Sequence, residues 1–305
     1  MKKIAIIGAG PAGISAAYEL SKADFNITLH EKSNQIGGLA RTMEFSDAKF
    51  DVGPHRFFTY NKEVENLYLK ILDKDAIEVK RLTRILYNNK LFKYPLSPFG
   101  TIIKIGFIGA VKILASYVYS LFQKYLLKKK PRNFEEWVQL NFGNDLYSKF
   151  FKSYTEKVWG VNCKDISTDW AAQRIKNLSF ISVILNPFIK YFKRKKIKTL
   201  VDQFWYPKLG AGQFYHKLVN KIDNEKFTLN LNSEFTKIEH DNEKILSITV
   251  KDENSNLKKI DYDHYFISSP FTKIVENLSP KPPENILTSC KNLKYRHHIG
   301  VKLLV

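Results

Sequence analysis

The chain of 305 residues is 44% hydrophobic and 14% aromatic, and its 49 lysines and arginines against 30 aspartates and glutamates leave a net charge of +19. That apolar content excludes a disordered chain, and the length suffices for two domains or one large discontinuous one. Two cysteines outside any CxxC exclude a disulfide framework and fit a reducing, cytoplasmic compartment. The charge selects anionic partners: a phosphorylated cofactor, a nucleotide-linked substrate or, at the inner membrane surface, acidic lipid. No nucleic-acid motif accompanies the basic clusters at 128–130 and 193–198, and no metal site is expected.

In chain order, residues 4–7 form a short apolar run suited to a buried parallel strand. "PAGISAAYELSKA" follows with apolar residues at helical spacing, and "FNITLHE" (25–31) has the pattern of a second strand, so the chain opens β-α-β. Two lysines and an apolar run give this start some likeness to a secretory signal, but three patterned glycines and a proline break the run. "NKEVENLYLKIL" (61–72) predicts a helix capped by Asn61. Residues 99–127 are the most apolar stretch, interrupted by Lys104 and Lys112, which argues against a membrane span. Buried helices of a second domain are expected there, with a helix lying on a membrane as the alternative. Helix continues over 133–190, with "NFEEWVQLNF" as a capped amphipathic segment. Beyond residue 200, "FTLNLN", "FTKIEHD", "ILSITVKDEN" and "LKKIDYDHYFISSP" predict a run of hairpins whose last strand, 264–269, returns to the first sheet.

Gly8, Gly10 and Gly13 form GxGxxG between the first strand and the first helix. Gly8 permits the turn, Gly10 admits a pyrophosphate and Gly13 lets helix and strand close together. Glu31, eighteen residues after Gly13, ends the second strand where a carboxylate can accept both ribose hydroxyls. An acidic residue there disfavours a 2′-phosphate and hence NADP, leaving FAD or NAD.

Glu31 is followed by "GGLART", giving E-x5-G-G-x2-R-T. This pattern after a dinucleotide fold resembles the flavin amine oxidase superfamily, which includes amine oxidases, protoporphyrinogen oxidase, carotenoid desaturases and UDP-galactopyranose mutase. The resemblance implies FAD, with Gly37 and Gly38 near the flavin end and Arg41 near the diphosphate. Pro11, Ala12, Lys32, Leu39 and Ala40 complete the expected cofactor contacts. "FDVGPHRFFT" (50–59) resembles the mutases' G-P-H-x-F-H-T, with Phe58 where they carry a second histidine. The family implies that Gly53, Pro54 and His55 line one face of the isoalloxazine, with His55 as the catalytic candidate.

"LYNNKLFKYPLSP" (86–98) resembles the mutases' Tyr-x-Gly-Lys-Leu segment, with Asn89 in the glycine's place. "SYTEKVWGVNCKDISTDWAAQRI" (153–175) resembles their Tyr-Thr-x-Lys-Gln-Trp-Gly run, with Val158 for glutamine. By that resemblance Tyr154 and Trp159 line a sugar-nucleotide cleft and Arg174 holds a diphosphate. "WYPKLGAGQFYHKLVNKI" (205–222) is closer to the oxidase branch, in which such a turn opens a helix beside the flavin.

The implied fold is α/β: a Rossmann-like FAD-binding domain (1–98), an inserted helical substrate or cap domain (99–199), and an antiparallel β-meander substrate region returning to the first domain (200–305). The implied activity is a flavoenzyme of mutase type in polysaccharide biosynthesis, in which reduced flavin N5 attacks the anomeric carbon of a nucleotide sugar and the ring contracts. The alternatives are an FAD-dependent oxidoreductase removing hydride from a small substrate, and a non-catalytic flavin protein or inactive fragment. Nothing after "YRHHIGVKLLV" matches the family's third flavin-contacting element, so weak FAD retention is expected of these 305 residues.

Overall fold

In β1 (Lys2–Ile7), Ile4, Ala5, Ile6 and Ile7 are all buried, as in a strand covered on both faces. The structure is a computed structural model describing residues 1–87, 89–93, 103–170, 203–223, 225–293, 295–297 and 299–304. The chain divides into one unit of Met1–Val79 with Phe204–Val305, and a second of Lys80–Gln203.

In the first unit, β1 lies between β2 (Phe25–His30) and β13 (His264–Ile267), with β9 (Phe227–Asn230) outside β2, all parallel. Ile7 stands opposite both His30 and Ile267, so the strand ends are level. The neighbours of β1 lie on opposite sides, and an open parallel sheet offers its ligand crevice beyond the carboxyl ends at such a point. The predicted return strand is β13. "FTLNLN", expected in the hairpin run, instead extends the parallel sheet as β9. Its residues Phe227 and Leu229 pack with Ile27 and Leu29, a non-local partnership that no turn signal reveals.

The two faces of β1 serve two cores. Ile4 and Ile6 pack with Ile14 and Ala17 of α1 (Pro11–Leu20), Tyr68 and Leu72 of α2 (Lys62–Leu72), and Phe214 and Leu218 of α6 (Gly212–Val219). Ala5 and Ile7 face β10 (Glu234–His240) and β11 (Ile245–Lys251), through Phe235, Ile238, Ile248 and Val250. Each fully buried isoleucine contributes about 2–3 kcal/mol. β10 and β11 form an antiparallel meander with β12 (Leu257–Ile260), and β14 (Leu278–Ser279) adds in parallel beside β10. Asn61 caps α2, its Oδ1 accepting from Glu63 N at 2.9 Å and Val64 N at 3.3 Å, as the sequence predicts. No helix or strand forms among the described residues after Asn292.

The second unit holds a β6–β7 hairpin (Arg84–Tyr87, Lys90–Lys93), reached from β5 (Ala76–Lys80), then α3 (Phe107–Tyr125), α4 (Phe134–Phe142) and α5 (Ser153–Trp159). Asn89 adopts φ +54° in the hairpin turn, a left-handed position that suits glycine or asparagine. Phe92, Ile113, Phe134, Val138, Phe142 and Phe150 form its core. The expectation of buried helix over 99–127 holds for one face of α3 only: Ile113, Tyr117 and Ser120 are buried, whereas Leu114, Val118 and Phe122 are exposed. A helix apolar all round does not disclose by its pattern which face finds a partner. Among the described residues no helix is long and apolar enough to cross a membrane.

Candidate dinucleotide and flavin site

The crevice beyond β1 is built from backbone. Gly8 adopts φ +102°, and its N–H donates to His30 O at 2.7 Å, tying the glycine turn to the end of β2. α1 begins at Pro11 without a side-chain cap from Gly10, and the exposed Ala12 leads its first turn. Amides of an uncapped first turn, with the helix dipole behind them, attract an anion. A Cβ on Gly13 would stand 1.9 Å from Gly8 O, so helix and turn touch through this residue.

Glu31 is 7% exposed, just beyond the carboxyl end of β2. Its Oε2 accepts from Ala9 N at 2.7 Å, and its Oε1 accepts from Ser33 N at 3.0 Å and Ser33 Oγ at 2.7 Å. These bonds fix the carboxylate beside the glycine turn. Lys32, next to it, is exposed.

The glycine doublet closes onto the same turn. Gly37 N donates to Ala9 O at 2.7 Å, and a Cβ on Gly38 would approach Gly10 Cα to 3.0 Å. Gly37 and Gly38 both have positive φ, +101° and +53°. Leu39 is exposed, Ala40 buried, and Arg41 turns back so that Nη1 donates to Gly38 O at 3.4 Å. The structure therefore brings Gly8–Gly13, Glu31 and Gly37–Arg41 together into one glycine-rich cradle.

The segment Gly53–Pro54–His55 joins it. His55 Nε2 lies 2.9 Å from Leu39 O. A carbonyl only accepts, so Nε2 carries a proton and donates it here. Phe57 is anchored: it stacks on Tyr68 at 3.6 Å and 3°, and exchanges backbone hydrogen bonds with Trp205 at 3.2 and 3.1 Å. Arg56 lies 5.5 Å over the Phe204 ring, and Phe58 meets Tyr60 edge-on. A cleft of about 140 Å³ opens between Ala40, His55, Phe57, Tyr68, Tyr206 and Tyr215. Burial holds the Tyr68 and Tyr206 hydroxyls well above the ordinary tyrosine range, with the Asp51 carboxylate adding to the effect at Tyr206, so both remain donors.

Sequence reasoning missed the group that locks this wall. Asp51 Oδ1 accepts from Thr42 Oγ1 at 2.6 Å and from Ala211 N at 2.9 Å, and its Oδ2 accepts from Tyr206 OH. Gly212 N donates to Thr42 Oγ1 at 2.9 Å. The strands β3 (Thr42–Phe45) and β4 (Ala48–Asp51) thereby hold the turn between β8 (Gln203–Pro207) and α6. An aspartate at the edge of the apolar "FDVGP" was the available signal.

Of the expected substrate residues, Tyr154 is 68% and Trp159 39% exposed, both on α5 of the second unit. Five positions separate them, so they leave the helix about 140° apart and do not share one face. Trp159 packs edge-on against Trp170, with centroids 5.0 Å apart. Arg174 lies outside the described residues.

A parallel sheet with a glycine turn, an acidic strand end and a glycine-rich cradle defines a Rossmann-like dinucleotide-binding fold of the flavoprotein kind. The chain belongs to the family of flavin containing amine oxidoreductases, whose pattern matches residues 11–299, and its cofactor is FAD. A probable UDP-galactopyranose mutase of Klebsiella pneumoniae is 27% identical over 283 residues, covering 88% of this chain and 60% of that protein. The crystal structure of a reduced UDP-galactopyranose mutase matches with TM-score 0.75 at 23% identity, over 95% of this chain and 60% of that one. A putative protoporphyrinogen oxidase from Exiguobacterium matches with TM-score 0.66 at 16% identity, over 94% and 63%. The chain thus spans about 60% of the length of the mutases it resembles.

Proposed function

We propose that this chain is the FAD-binding and substrate-recognising part of a flavoenzyme that acts on an anionic nucleotide sugar, in a cytoplasmic polysaccharide pathway and with mutase-type chemistry. The observation that carries the reading is the exposure of Tyr154 and Trp159, in the segment that resembles the mutases' aromatic run. A purely structural role would bury such rings for their area, whereas a sugar or base requires an open aromatic face. When bound, FAD supplies either a reduced, nucleophilic ring or an oxidised, hydride-accepting one.

The residues of this chain would divide the work. The amides of Gly10, Ala12 and Gly13 hold the pyrophosphate, with the nearby Arg41 guanidinium adding charge. Glu31 takes a ribose hydroxyl on the Oε2 lone pair that Ala9 N leaves open. Gly37–Ala40 and Gly53–His55 present backbone to the flavin, and His55 Nδ1 accepts a proton there. Arg174 supplies a planar fork for the substrate diphosphate.

A second reading, an FAD-dependent oxidoreductase, is favoured by Phe58 and Val158. Both are partly exposed apolar residues where the mutase pattern is polar, and they suit a less polar substrate.

Titration with UDP, UDP-galactose and uridine, followed by tryptophan fluorescence, tests the nucleotide-sugar reading. Saturable binding of the two diphosphates, at least about tenfold weaker in Arg174→Ala, is expected. With added FAD, dithionite and UDP-galactose, a furanose product should appear. No response to any UDP-sugar, together with flavin reduction by an amine, porphyrinogen or polyene, would replace this reading by the second.

A further inference from the structure

α3 is apolar on two sides, and among the described residues only one of them is covered. Ile113, Tyr117 and Ser120 are buried, and Ile113 belongs to the core of the second unit. On the opposite side Val111, Leu114, Ala115, Val118, Tyr119 and Phe122 form a continuous stripe along the helix, lining a shallow surface trough. Leu114, Val118 and Phe122 are 54%, 57% and 45% exposed, and Leu126 and Leu127 prolong the apolar surface past the helix end. Isolated apolar residues on a surface are ordinary, but a contiguous stripe marks an interaction site.

The charge around the stripe identifies what it meets. Residues 79–134 contain twelve lysines and arginines and no aspartate or glutamate. Lys112 lies at the margin of the stripe about two helical turns from Tyr119, and Lys128, Lys129 and Lys130 follow its end, all exposed, while Arg132 beyond them is paired with Glu136. A second copy docked here would bring like charges together, with no carboxylate in the segment to pair with them. An anionic bilayer converts the same charges into attraction while the apolar side chains enter the acyl boundary. Stable anchoring requires such a pairing of an apolar element with a polybasic one. Tyr119 occupies the amphipathic margin that aromatic residues hold at a lipid–water boundary.

We infer that the exposed face of α3, with the basic cluster at 128–130, docks this chain peripherally on membranes rich in anionic phospholipid, the helix lying in the interface. The inference is independent of the flavin and of the substrate.

Flotation of the purified 305-residue chain with vesicles of phosphatidylcholine and phosphatidylglycerol in equal parts is the test. Binding should be at least about tenfold stronger than to phosphatidylcholine alone and should weaken with added salt. The pair Val118→Ser/Phe122→Ser should reduce it at least about tenfold, with an unchanged melting temperature because both side chains are exposed. The triple Lys128→Gln/Lys129→Gln/Lys130→Gln should reduce it about a hundredfold. Leu257→Glu, equally exposed but on β12, should leave it intact. Absence of flotation, or flotation indifferent to the serine pair, overturns the inference. A concentration-dependent dimer dissolved by the serine pair, without flotation, would assign the face to a second copy. Retention on polyglutamate but not on vesicles would assign it to an acidic protein.

Discussion

Gly13 and the carbonyl oxygen of Gly8 are so close that a methyl group on Gly13 would lie 1.9 Å from that oxygen, whereas one on Gly10 would meet nothing nearer than Gly38 Cα at 3.9 Å. The two glycines of one motif therefore serve different ends. Gly13 is required by packing of α1 on the turn. Gly10 has room for a side chain, so its bareness matters only to the proposed FAD site. Gly13→Ala should lower unfolding free energy by about 3 kcal/mol, from a backbone clash in a packed site. Gly10→Ala should cost less than about 1 kcal/mol yet abolish the rise in melting temperature caused by added FAD. Urea denaturation with and without FAD checks both. Equal stability loss in the two variants would contradict the division.

Asp51 gathers three donors from two separate parts of the first unit, the Thr42 hydroxyl, the Ala211 amide and the Tyr206 hydroxyl. Bonds to a carboxylate are worth about 1.5–3 kcal/mol each, so Tyr206→Phe should destabilise by about 2 kcal/mol. Asp51→Ala should cost more, because three donors lose their acceptor together. The double variant should fall short of the sum by at least about 1 kcal/mol, since both substitutions remove the same bond. Denaturation of the four proteins closes the cycle, and strict additivity would show the hub to be without energetic weight.

Features set by local pattern were legible in the sequence. The glycine turn, the Asn61 cap and the apolar strand 264–267 each declare themselves within a few residues. The place of β9 was not legible, because which strand Phe227–Asn230 pairs with is decided by packing against Ile27 and Leu29, two hundred residues earlier in the chain. The Asp51 hub was hidden for the same reason: its donors at Thr42, Tyr206 and Ala211 meet only after folding. α3 shows a third limit, since hydrophobic periodicity identifies an apolar face but not what covers it.

His55 reaches Leu39 O through Nε2, the geometry that a glutamine amide reproduces and an asparagine amide does not. His55→Gln should stay within about 0.5 kcal/mol of the parent stability, and His55→Ala should lose about 1 kcal/mol, the net worth of one hydrogen bond. If the free Nδ1 handles a proton in the reaction, both variants should lose turnover together despite their different stabilities. Nitrogen-15 NMR of the imidazole should show the Nε2–H tautomer at neutral pH; an Nδ1–H signal would remove the basis for this contrast.

His30 is buried against Ser233, its Nδ1 2.8 Å from Ser233 Oγ, and its Nε2 has no partner among the described residues. Burial, reinforced by the nearby Lys258 charge, lowers its pKa to about 4 from an ordinary 6.5. In the unfolded chain the same ring binds a proton near pH 6.5. Between those values the unfolded state holds more protons than the folded one, so stability rises with pH. The contribution is complete above about pH 6.5 and drains away as pH falls toward 4, amounting to about 3 kcal/mol over the full window. Urea unfolding at pH 7 and pH 5 should show the parent losing about 2 kcal/mol more than His30→Phe, in which the ring is replaced by one that cannot titrate. His216, also held below its ordinary pKa by burial, is present in both proteins and cancels in the comparison. Equal pH dependence in the two would mean that the imidazole finds a proton acceptor or water on folding, and that its burial costs the acid form nothing.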